Sequence, residues 1–207
     1  MDREWLKDYI RDNHTDVSEH LLRFHDIAVG MNAHKVLEIG VRSGESTRAF
    51  LTAMLQTGGH LVSVDIEPTT YKPPEEALGH WTFVQGDSAT VPIPHDSYDI
   101  VFIDGDHSFE ATIKDLERAT SLLKQHGAIF LHDVLPIPGF GALEAVVRVM
   151  ICQTTEPWFF SIIQENCGMG VLFRKHGQWV ENVWKGYHHK NHDYRSTRDA
   201  FSPEQGS

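Results

Sequence analysis

The sequence predicts an α/β protein built on a doubly wound, mostly parallel seven-stranded sheet with a C-terminal antiparallel hairpin. Five apolar segments alternate with longer connections, at residues 35–39, 61–66, 81–85, 98–103 and 128–132. The first and fourth are almost continuously apolar, as is typical of strands that helices cover on both faces. Two further segments, 158–163 and 169–174, are too close together for a crossover helix, so they indicate a hairpin.

Helices are predicted where apolar residues recur at helical spacing. Residues 2–13 form the first, and the second is expected to begin at Asp16, because Asp16 and Glu19 have the spacing of a capping box. Residues 1–34 are therefore interpreted as a helical cover over the core. Three more helices are predicted at residues 44–56, 109–125 and 142–151. Gly127 is expected to end the second of these three, before the strand at 128–132.

The main domain is expected to span residues 35–175, because no linker divides this part of the chain. Residues 176–207 show no apolar periodicity and are predicted to be a C-terminal surface extension. His188, His189 and His192 lie in this extension, where a solvated polar segment is favoured over a loose metal site.

Composition and charge exclude several functions. The chain has 207 residues, a formal net charge of −11 and no apolar run close to the roughly 20 residues that cross a bilayer. The excess of acid disfavours nucleic-acid binding, which needs a basic face. The N-terminus mixes acids and bases without an apolar stretch, so it does not resemble a signal peptide. We therefore expect a cytoplasmic protein that binds neither nucleic acid nor membrane and acts on a small molecule.

Residues 36–47, VLEIGVRSGEST, indicate a ligand-binding turn between a strand and a helix. Gly40 and Gly44 allow the backbone to bend tightly and approach a ligand, and amides at the helix N-terminus can take up negative charge. The dinucleotide fingerprint G-x-G-x-x-G is absent, because Arg42 stands at its second glycine. For this segment alone, a turn without a ligand is the alternative.

Carboxylates at the ends of the first three predicted strands favour a nucleotide as the ligand. They are Glu38, Asp65 and Asp87, and parallel strands place them at one edge of the sheet. A carboxylate that ends the second strand can accept both hydroxyls of a ribose. For Asp87, which precedes Ser88, a turn or helix cap is the alternative.

A second group of polar side chains follows the fourth and fifth predicted strands. Its members are Asp104, Asp106, His107, His132 and Asp133. Neighbouring parallel strands end at the same edge of a sheet, so these five are expected to converge. Oxygen-rich clusters of this kind suit Mg²⁺, Mn²⁺ or Ca²⁺. The alternative is that Asp106 or Ser108 caps the following helix while the others satisfy turns.

The segment Glu38-Ile-Gly-x-x-x-Gly44, with Asp65 and Asp87, resembles the cofactor motifs of class I S-adenosylmethionine-dependent methyltransferases, whose Rossmann-like sheet also ends in an antiparallel hairpin. The resemblance covers about residues 35–174. It implies that S-adenosylmethionine is the cofactor and that Asp65 holds its ribose. The implied cofactor site places Gly40, Gly44 and Ser46 close to the methionine portion, Asp65 at the ribose, and Asp87 and Ser88 beside the adenine. Glu38 and Asp104 complete the implied cofactor site.

Within that class, the IDGDH and LHD segments resemble the small bacterial metal-dependent O-methyltransferases of the antibiotic-sugar or macrocin type, and more distantly the catechol O-methyltransferases. This implies methyl transfer onto a hydroxyl of a small metabolite. It also implies a divalent cation, Mg²⁺ first, held by Asp104, His132 and Asp133, with His132 at a position where some relatives have Asp. Removal of the hydroxyl proton needs a base, for which we predict His107 first and Asp106 second.

Two other functions stay open. A nicotinamide-dependent (NAD) oxidoreductase would use Asp65 in the same way, although the missing middle glycine and the hairpin count against it. A nucleotide-binding module without catalysis would need none of the second polar group. The acceptor has no recognisable signature, although residues 136–141 lie where they could shape its pocket. The apolar faces of the N-terminal helices could pair in a homodimer.

Overall fold

Seven strands and five α-helices are present in the described part of the chain. The structure is a computed structural model that describes residues 1–94, 97–135, 137–153 and 157–174, so the predicted extension at 176–207 with its three histidines lies outside it. The helices are α1 (Arg3–Asp12), α2 (Ser18–Gly30), α3 (Glu45–Thr57), α4 (Phe109–Leu122) and α5 (Ala142–Val146). The strands are β1 (Lys35–Ile39), β2 (His60–Asp65), β3 (Trp81–Gln85), β4 (Tyr98–Ile103), β5 (Leu123–His132), β6 (Trp158–Ile163) and β7 (Met169–Arg174).

The strands form one sheet in the order β3-β2-β1-β4-β5-β7-β6. Strands β1 to β5 are parallel, whereas β7 pairs antiparallel with both β5 and β6. The predicted fold class is confirmed. The chain reverses its direction of winding between β1 and β4, and in open α/β sheets ligands bind at that point, outside the carboxyl ends of the strands.

Helices α1, α2 and α3 pack on one face of this sheet and α4 and α5 on the other. On the first face, the ring of Phe24 in α2 lies 5.1 Å from Phe50 in α3 and 4.7 Å from Phe102 in β4. All three rings are fully buried, and burial of each contributes roughly 1.5–3 kcal/mol. The N-terminal helices are therefore part of the core and cannot be removed without exposing it.

Two local predictions are wrong. No capping box starts α2, because its N-cap is Val17 and no side chain caps it there. Instead, the Ser18 hydroxyl accepts the amide N–H of Thr15 at 2.7 Å. Helix α4 ends at Leu122, three residues before the predicted end, because residues 123–127 extend β5 backwards to pair with β4.

The other elements agree in type with the prediction and differ in detail. A 3₁₀ helix, Glu75–His80, fills the proline-rich connection before β3. Helix α5 continues as a π-helical turn, Val147–Gln153. Among the described residues, every helix is too short or too polar to cross a membrane.

Glu38 on β1 is fully buried, and hydroxyl groups from two neighbouring elements donate to its carboxylate. Ser46 and Thr47 at the start of α3 donate at 2.5 and 2.7 Å, and Ser63 of β2 donates at 2.6 Å. Burial raises the pKa of Glu38 to about 7, because the three hydroxyls offset only part of the lost hydration. Glu38 therefore fixes the start of α3 against β1 and β2.

Replacing Glu38 with Gln is expected to change how stability depends on pH. The pKa of Glu38 is about 7 in the folded protein against 4.5 for an unperturbed carboxyl, so the folded state binds the proton more tightly. The stability of the wild type relative to Glu38→Gln is therefore greatest below pH 4.5 and falls as the pH rises to about 7, by on the order of 3 kcal/mol.

Thermal unfolding of both proteins between about pH 4 and pH 8 measures this difference. The matched control is Glu117→Gln, which changes an exposed glutamate of α4. It should keep the wild-type pH dependence. A Glu38→Gln protein that also followed the wild-type pH profile would contradict the prediction.

Candidate active site

The turn between β1 and α3 lies directly on the turn that follows β4. Gly40 has φ +90°, and a Cβ at this position would fall 2.1 Å from the carbonyl oxygen of Asp104. Gly44 has φ +79°, and a Cβ there would fall 2.5 Å from the ring of Tyr71. Both predicted glycines are thus required by backbone conformation and by close approach.

A cavity of about 470 Å³ opens at the carboxyl ends of β1, β2 and β4, within the usual size range for a small-molecule site. Several predicted cofactor residues line it together. They are Gly40, Asp65, Asp87, Ser88 and Asp104. By contrast, Glu38 lies beneath the loop with its carboxylate bonded to protein hydroxyls, so its predicted contact with the cofactor stays a prediction.

Asp65 ends β2 and connects the glycine loop to the cavity. Its Oδ2 atom accepts the amide N–H groups of Val41 and Arg42 at 2.7 and 3.0 Å, and its Oδ1 atom accepts that of Glu67 at 2.9 Å. A carboxylate has about four acceptor positions, so this network leaves about one for a ligand. The predicted contact with a ribose stays a prediction.

Asp115 on α4 is a site residue that the sequence analysis missed. It is 5% exposed, it lines the cavity, and its Oδ1 atom accepts a hydrogen bond from the hydroxyl of Ser88. Burial raises the pKa of Asp115 to about 6, with the Ser88 bond opposing the shift. One feature of the sequence could have indicated that Asp115 is buried. Asp115 lies on the apolar face of an amphipathic helix, directly before Leu116 and three residues after Thr112.

A second cavity, of about 210 Å³, adjoins the first, and Gly40, Arg42 and Asp104 line both. Ser46 lines it as well, together with residues 15–17 between α1 and α2. The side-chain amide of Asn166, in the hairpin loop between β6 and β7, donates to the carbonyl of Asp16 at 3.1 Å. Sequence reasoning gave no sign that residues 15–17 reach the site, because packing of the N-terminal helices brings them there.

Four of the five polar residues predicted to converge do so. Nδ1 of His132 lies 3.2 Å from Oδ1 of Asp104 and 3.2 Å from Oδ2 of Asp133. Nε2 of His107 lies 3.1 Å from the same Asp133 oxygen. His132 and Asp133 are buried, whereas Asp104 and His107 keep part of their surface exposed. Asp133 is therefore shared between two imidazole rings.

The charges of this cluster stabilise one another. Burial disfavours the charged form of His132, but the carboxylates of Asp104 and Asp133, 3.2 Å from its Nδ1 atom, outweigh this effect and raise the pKa of His132 to about 10. Burial likewise acts to raise the pKa of Asp133, yet His132 and His107 hold it below its usual value. The result is an imidazolium bound between two carboxylates.

Asp106 lies apart from the cluster. It is exposed, and its carboxylate accepts the amide N–H of Ser108 at 2.8 Å, which lowers the pKa of Asp106. Ser108 is the N-cap of α4 and accepts the amide N–H of Ala111, so the capping interpretation is confirmed for Ser108. The ring of Phe140 packs against His107 with centroids 4.6 Å apart and planes at 32°, so Phe140 of the predicted pocket loop reaches this residue.

Asp104, His107 and Asp133 form the group that best fits a metal ion among the described residues. One ligand atom from each lies within 4.8 Å of the other two. The two carboxylates suit Mg²⁺ or Mn²⁺, whereas the imidazole is a ligand more typical of Zn²⁺ or Fe²⁺. His132 contacts both carboxylates, and its predicted role as a ligand stays a prediction.

The sheet and the cavity first define a class of protein. A cavity at the carboxyl ends of β1 and β4, a glycine turn and an acid at the end of β2 form the arrangement with which α/β proteins bind nucleotide cofactors. A family model described as a methyltransferase domain matches residues 37–134. The predicted resemblance to class I S-adenosylmethionine-dependent methyltransferases is confirmed, with residues 37–134 matching a methyltransferase domain.

A comparison with curated protein sequences finds no match. Solved structures share the fold at low sequence identity. An O-methyltransferase from Bacillus cereus, in complex with SAH, superposes with a TM-score of 0.57 at 14% identity, over 84% of this chain and 90% of that chain. CalS11, a TDP-rhamnose 3′-O-methyltransferase of calicheamicin biosynthesis, gives 0.59 at 14% identity, over 83% and 92%. MycE of the mycinamycin pathway, in complex with Mg and SAH, gives 0.60 at 14% identity, over 86% and 56%.

Replacing Gly40 with Ala is expected to weaken both stability and cofactor binding. The new methyl group would collide with the Asp104 carbonyl in a backbone conformation that costs roughly 1–3 kcal/mol for a residue with a side chain. Thermal unfolding and calorimetric titration with S-adenosylhomocysteine measure the two effects. The control is Gly30→Ala at the end of α2, where a Cβ meets no atom within 4 Å. Equal behaviour of the two variants would contradict the prediction.

Proposed function

We propose that this chain is an S-adenosylmethionine-dependent O-methyltransferase that transfers a methyl group to a hydroxyl of a small metabolite. The observation that carries the proposal is the contact of His107 Nε2 with Asp133 Oδ2 at 3.1 Å, beside Asp104, which lines both cavities. A proton acceptor thus adjoins the cavity proposed to hold the methyl donor. The O-methyltransferases with the same fold support this choice of acceptor atom.

The proposed role of the glycine loop and the acidic strand ends is to hold the cofactor in a fixed orientation. Asp65, Asp87 and Ser88 line the larger cavity, which fits the adenosine portion, while Ser46 lines the smaller one, which fits the methionine portion. Methyl transfer from a sulfonium is an in-line displacement, so alignment of the two reactants in a site that excludes water supplies most of the acceleration.

His107 is proposed to take the proton from the acceptor hydroxyl. Nε2 of His107 lies 3.1 Å from Oδ2 of Asp133, and an N–H at Nε2 that points to this oxygen would leave the lone pair on Nδ1 available for a proton, as in catalytic His–Asp pairs. Asp106 is the second candidate. Hydrogen bonds from Ser108 lower the pKa of Asp106, so its carboxylate is the weaker proton acceptor.

Asp104 and Asp133 are proposed to hold a divalent cation, with Mg²⁺ favoured. When bound there, a cation would lower the pKa of a hydroxyl that it coordinates. The MycE structure, which contains Mg, supports the proposal. His107 can act as a base only if its Nε2 atom stays on Asp133. If Nε2 binds the cation, Nδ1 keeps the ring proton and cannot accept another.

His107→Gln is expected to reduce kcat for methyl transfer by about 10²- to 10⁴-fold, the usual contribution of a general base. Its affinity for S-adenosylhomocysteine should stay unchanged, because His107 lines neither cavity. The assay measures S-adenosylhomocysteine formation with phenols, nucleotide-activated sugars and polyketide alcohols as acceptors. His126→Gln, at an exposed position in β5 far from the site, is the control. Wild-type turnover of His107→Gln would refute the base assignment.

Calorimetric titration with Mn²⁺ separates the two possible roles of His107. If His107 is the base, His107→Gln binds Mn²⁺ as tightly as the wild type, whereas Asp133→Asn loses affinity because a ligand charge is removed. A comparable loss in both variants would make His107 a ligand. Absence of Mn²⁺ binding in the wild type would refute the cation site.

Titration with S-adenosylmethionine, S-adenosylhomocysteine and NAD distinguishes the proposed activity from its alternatives. We expect binding of the first two and none of NAD. Preference for NAD would favour the oxidoreductase. Tight binding of the methyl donor with no turnover on any acceptor would favour a nucleotide-binding module.

A further inference from the structure

We propose that His20 is a positioning residue that holds the ring of His132 between Asp104 and Asp133. The proposal rests on the proposed function, because those carboxylates are the proposed cation ligands. His20 belongs to α2, outside the segment that matches the methyltransferase family. The active site would then depend on a side chain that the N-terminal helices supply.

The first step is the geometry of the two rings. The ring of His20 lies edge-on against that of His132, with centroids 5.7 Å apart and planes at 76°. His20 is 0% exposed and His132 is 1% exposed, so neither ring reaches solvent. Two imidazoles therefore meet in the interior, directly behind the cluster of carboxylates.

The second step is the distribution of polar atoms. Nδ1 of His132 faces both carboxylates at 3.2 Å, and Nδ1 of His20 lies 3.4 Å from Nη1 of Arg23. Nε2 of His20 and both ring nitrogens of His132 are buried and form no hydrogen bond among the described residues, so Nδ1 of His132 is paired with the carboxylates by charge alone. A buried polar atom without a hydrogen-bond partner destabilises the folded state. A single water that bridges the two rings would satisfy both Nε2 atoms at once.

The third step is the consequence for the carboxylates. His132 contacts Asp104 and Asp133 through one nitrogen, so rotation of its ring would break both contacts together. His20 packs against that ring from α2 and opposes the rotation. Groups that orient metal ligands in this way typically alter metal affinity by 10–100-fold when they are removed. His20 is thus a positioning residue and takes no part in the reaction itself.

The test compares His20→Phe, His20→Gln and His25→Phe in the full chain. His25 is a matched control, because it is also a buried histidine of α2 whose Nε2 atom has no partner among the described residues. Long-range ¹H–¹⁵N spectra of histidine-labelled protein report the bonding of each ring nitrogen. Calorimetry with Mn²⁺ reports cation affinity, and calorimetry with S-adenosylhomocysteine shows that each variant is folded.

We expect His20→Phe to shift the Nε2 resonance of His132 and to weaken Mn²⁺ binding about tenfold. His20→Gln, which keeps a side-chain N–H donor, should restore much of that affinity, and His25→Phe should match the wild type. Unchanged His132 resonances in His20→Phe, or equal effects of His20→Phe and His25→Phe, would overturn the proposal. If the wild type binds no Mn²⁺, the cation site is refuted and the His132 spectra alone decide whether His20 positions that ring.

Discussion

The close approach of the β1–α3 turn to the β4–α4 turn is the constraint on which the site depends. The backbone of Gly40 fits against the Asp104 carbonyl only because Gly40 has no side chain. The Asp104 amide in turn donates to the carbonyl of Ile39 at 2.8 Å, which extends the pairing of β1 with β4 by one more bond. As a result Asp104 borders both cavities and also contacts His132. One residue thereby links the proposed cofactor site to the proposed chemistry.

The buried charges at this point explain why the cluster is stable as well as reactive. An imidazolium and two carboxylates leave one net negative charge, which is easier to bury than two unpaired carboxylates. His107 then approaches Asp133 from the partly exposed side. A cation at Asp104 and Asp133 would use carboxylate acceptor positions that His132 does not occupy, since His132 contacts one oxygen of each. The orientation of the His132 ring is thus as important to the site as the identity of the ligands.

The sequence predicts the sheet well because its signals are local. Apolar strands and glycine turns depend on the chemistry of a few neighbouring residues. The ends of neighbouring parallel strands bring Asp104, His132 and Asp133 together independently of how the helices pack. The predicted start of α2 and the predicted end of α4 were wrong, because other hydrogen bonds form at these two positions. Ser18 bonds to Thr15 instead of a cap forming at Asp16, and Leu123 joins the strand.

Asp115 and the 15–17 segment could not be assigned to the site from the sequence, because their positions depend on how helices pack. An acid on a helix face can be predicted to be buried or exposed, but the partner Ser88 belongs to another element 27 residues away. The contact of His20 with His132 could not be predicted for the same reason. His20 precedes the segment that matches the methyltransferase family, and His132 lies near the end of that segment. Periodicity identifies the helix and its apolar face, but not the strand end against which that face packs.

The N-terminal helices are held to the site by three separate contacts. Tyr9 of α1 donates to Glu45 at the start of α3 at 2.5 Å, Asn166 holds the carbonyl of Asp16, and Arg23 forms an ion pair with Glu165. These contacts join α1 and α2 to the glycine loop on one side and to the terminal hairpin on the other. Residues 15–17, which connect α1 to α2, also line the smaller cavity, so these two helices are part of the structure of the candidate active site. A chain that began at β1 would keep the family motif but would lose one wall of the proposed methionine site and the contact behind His132.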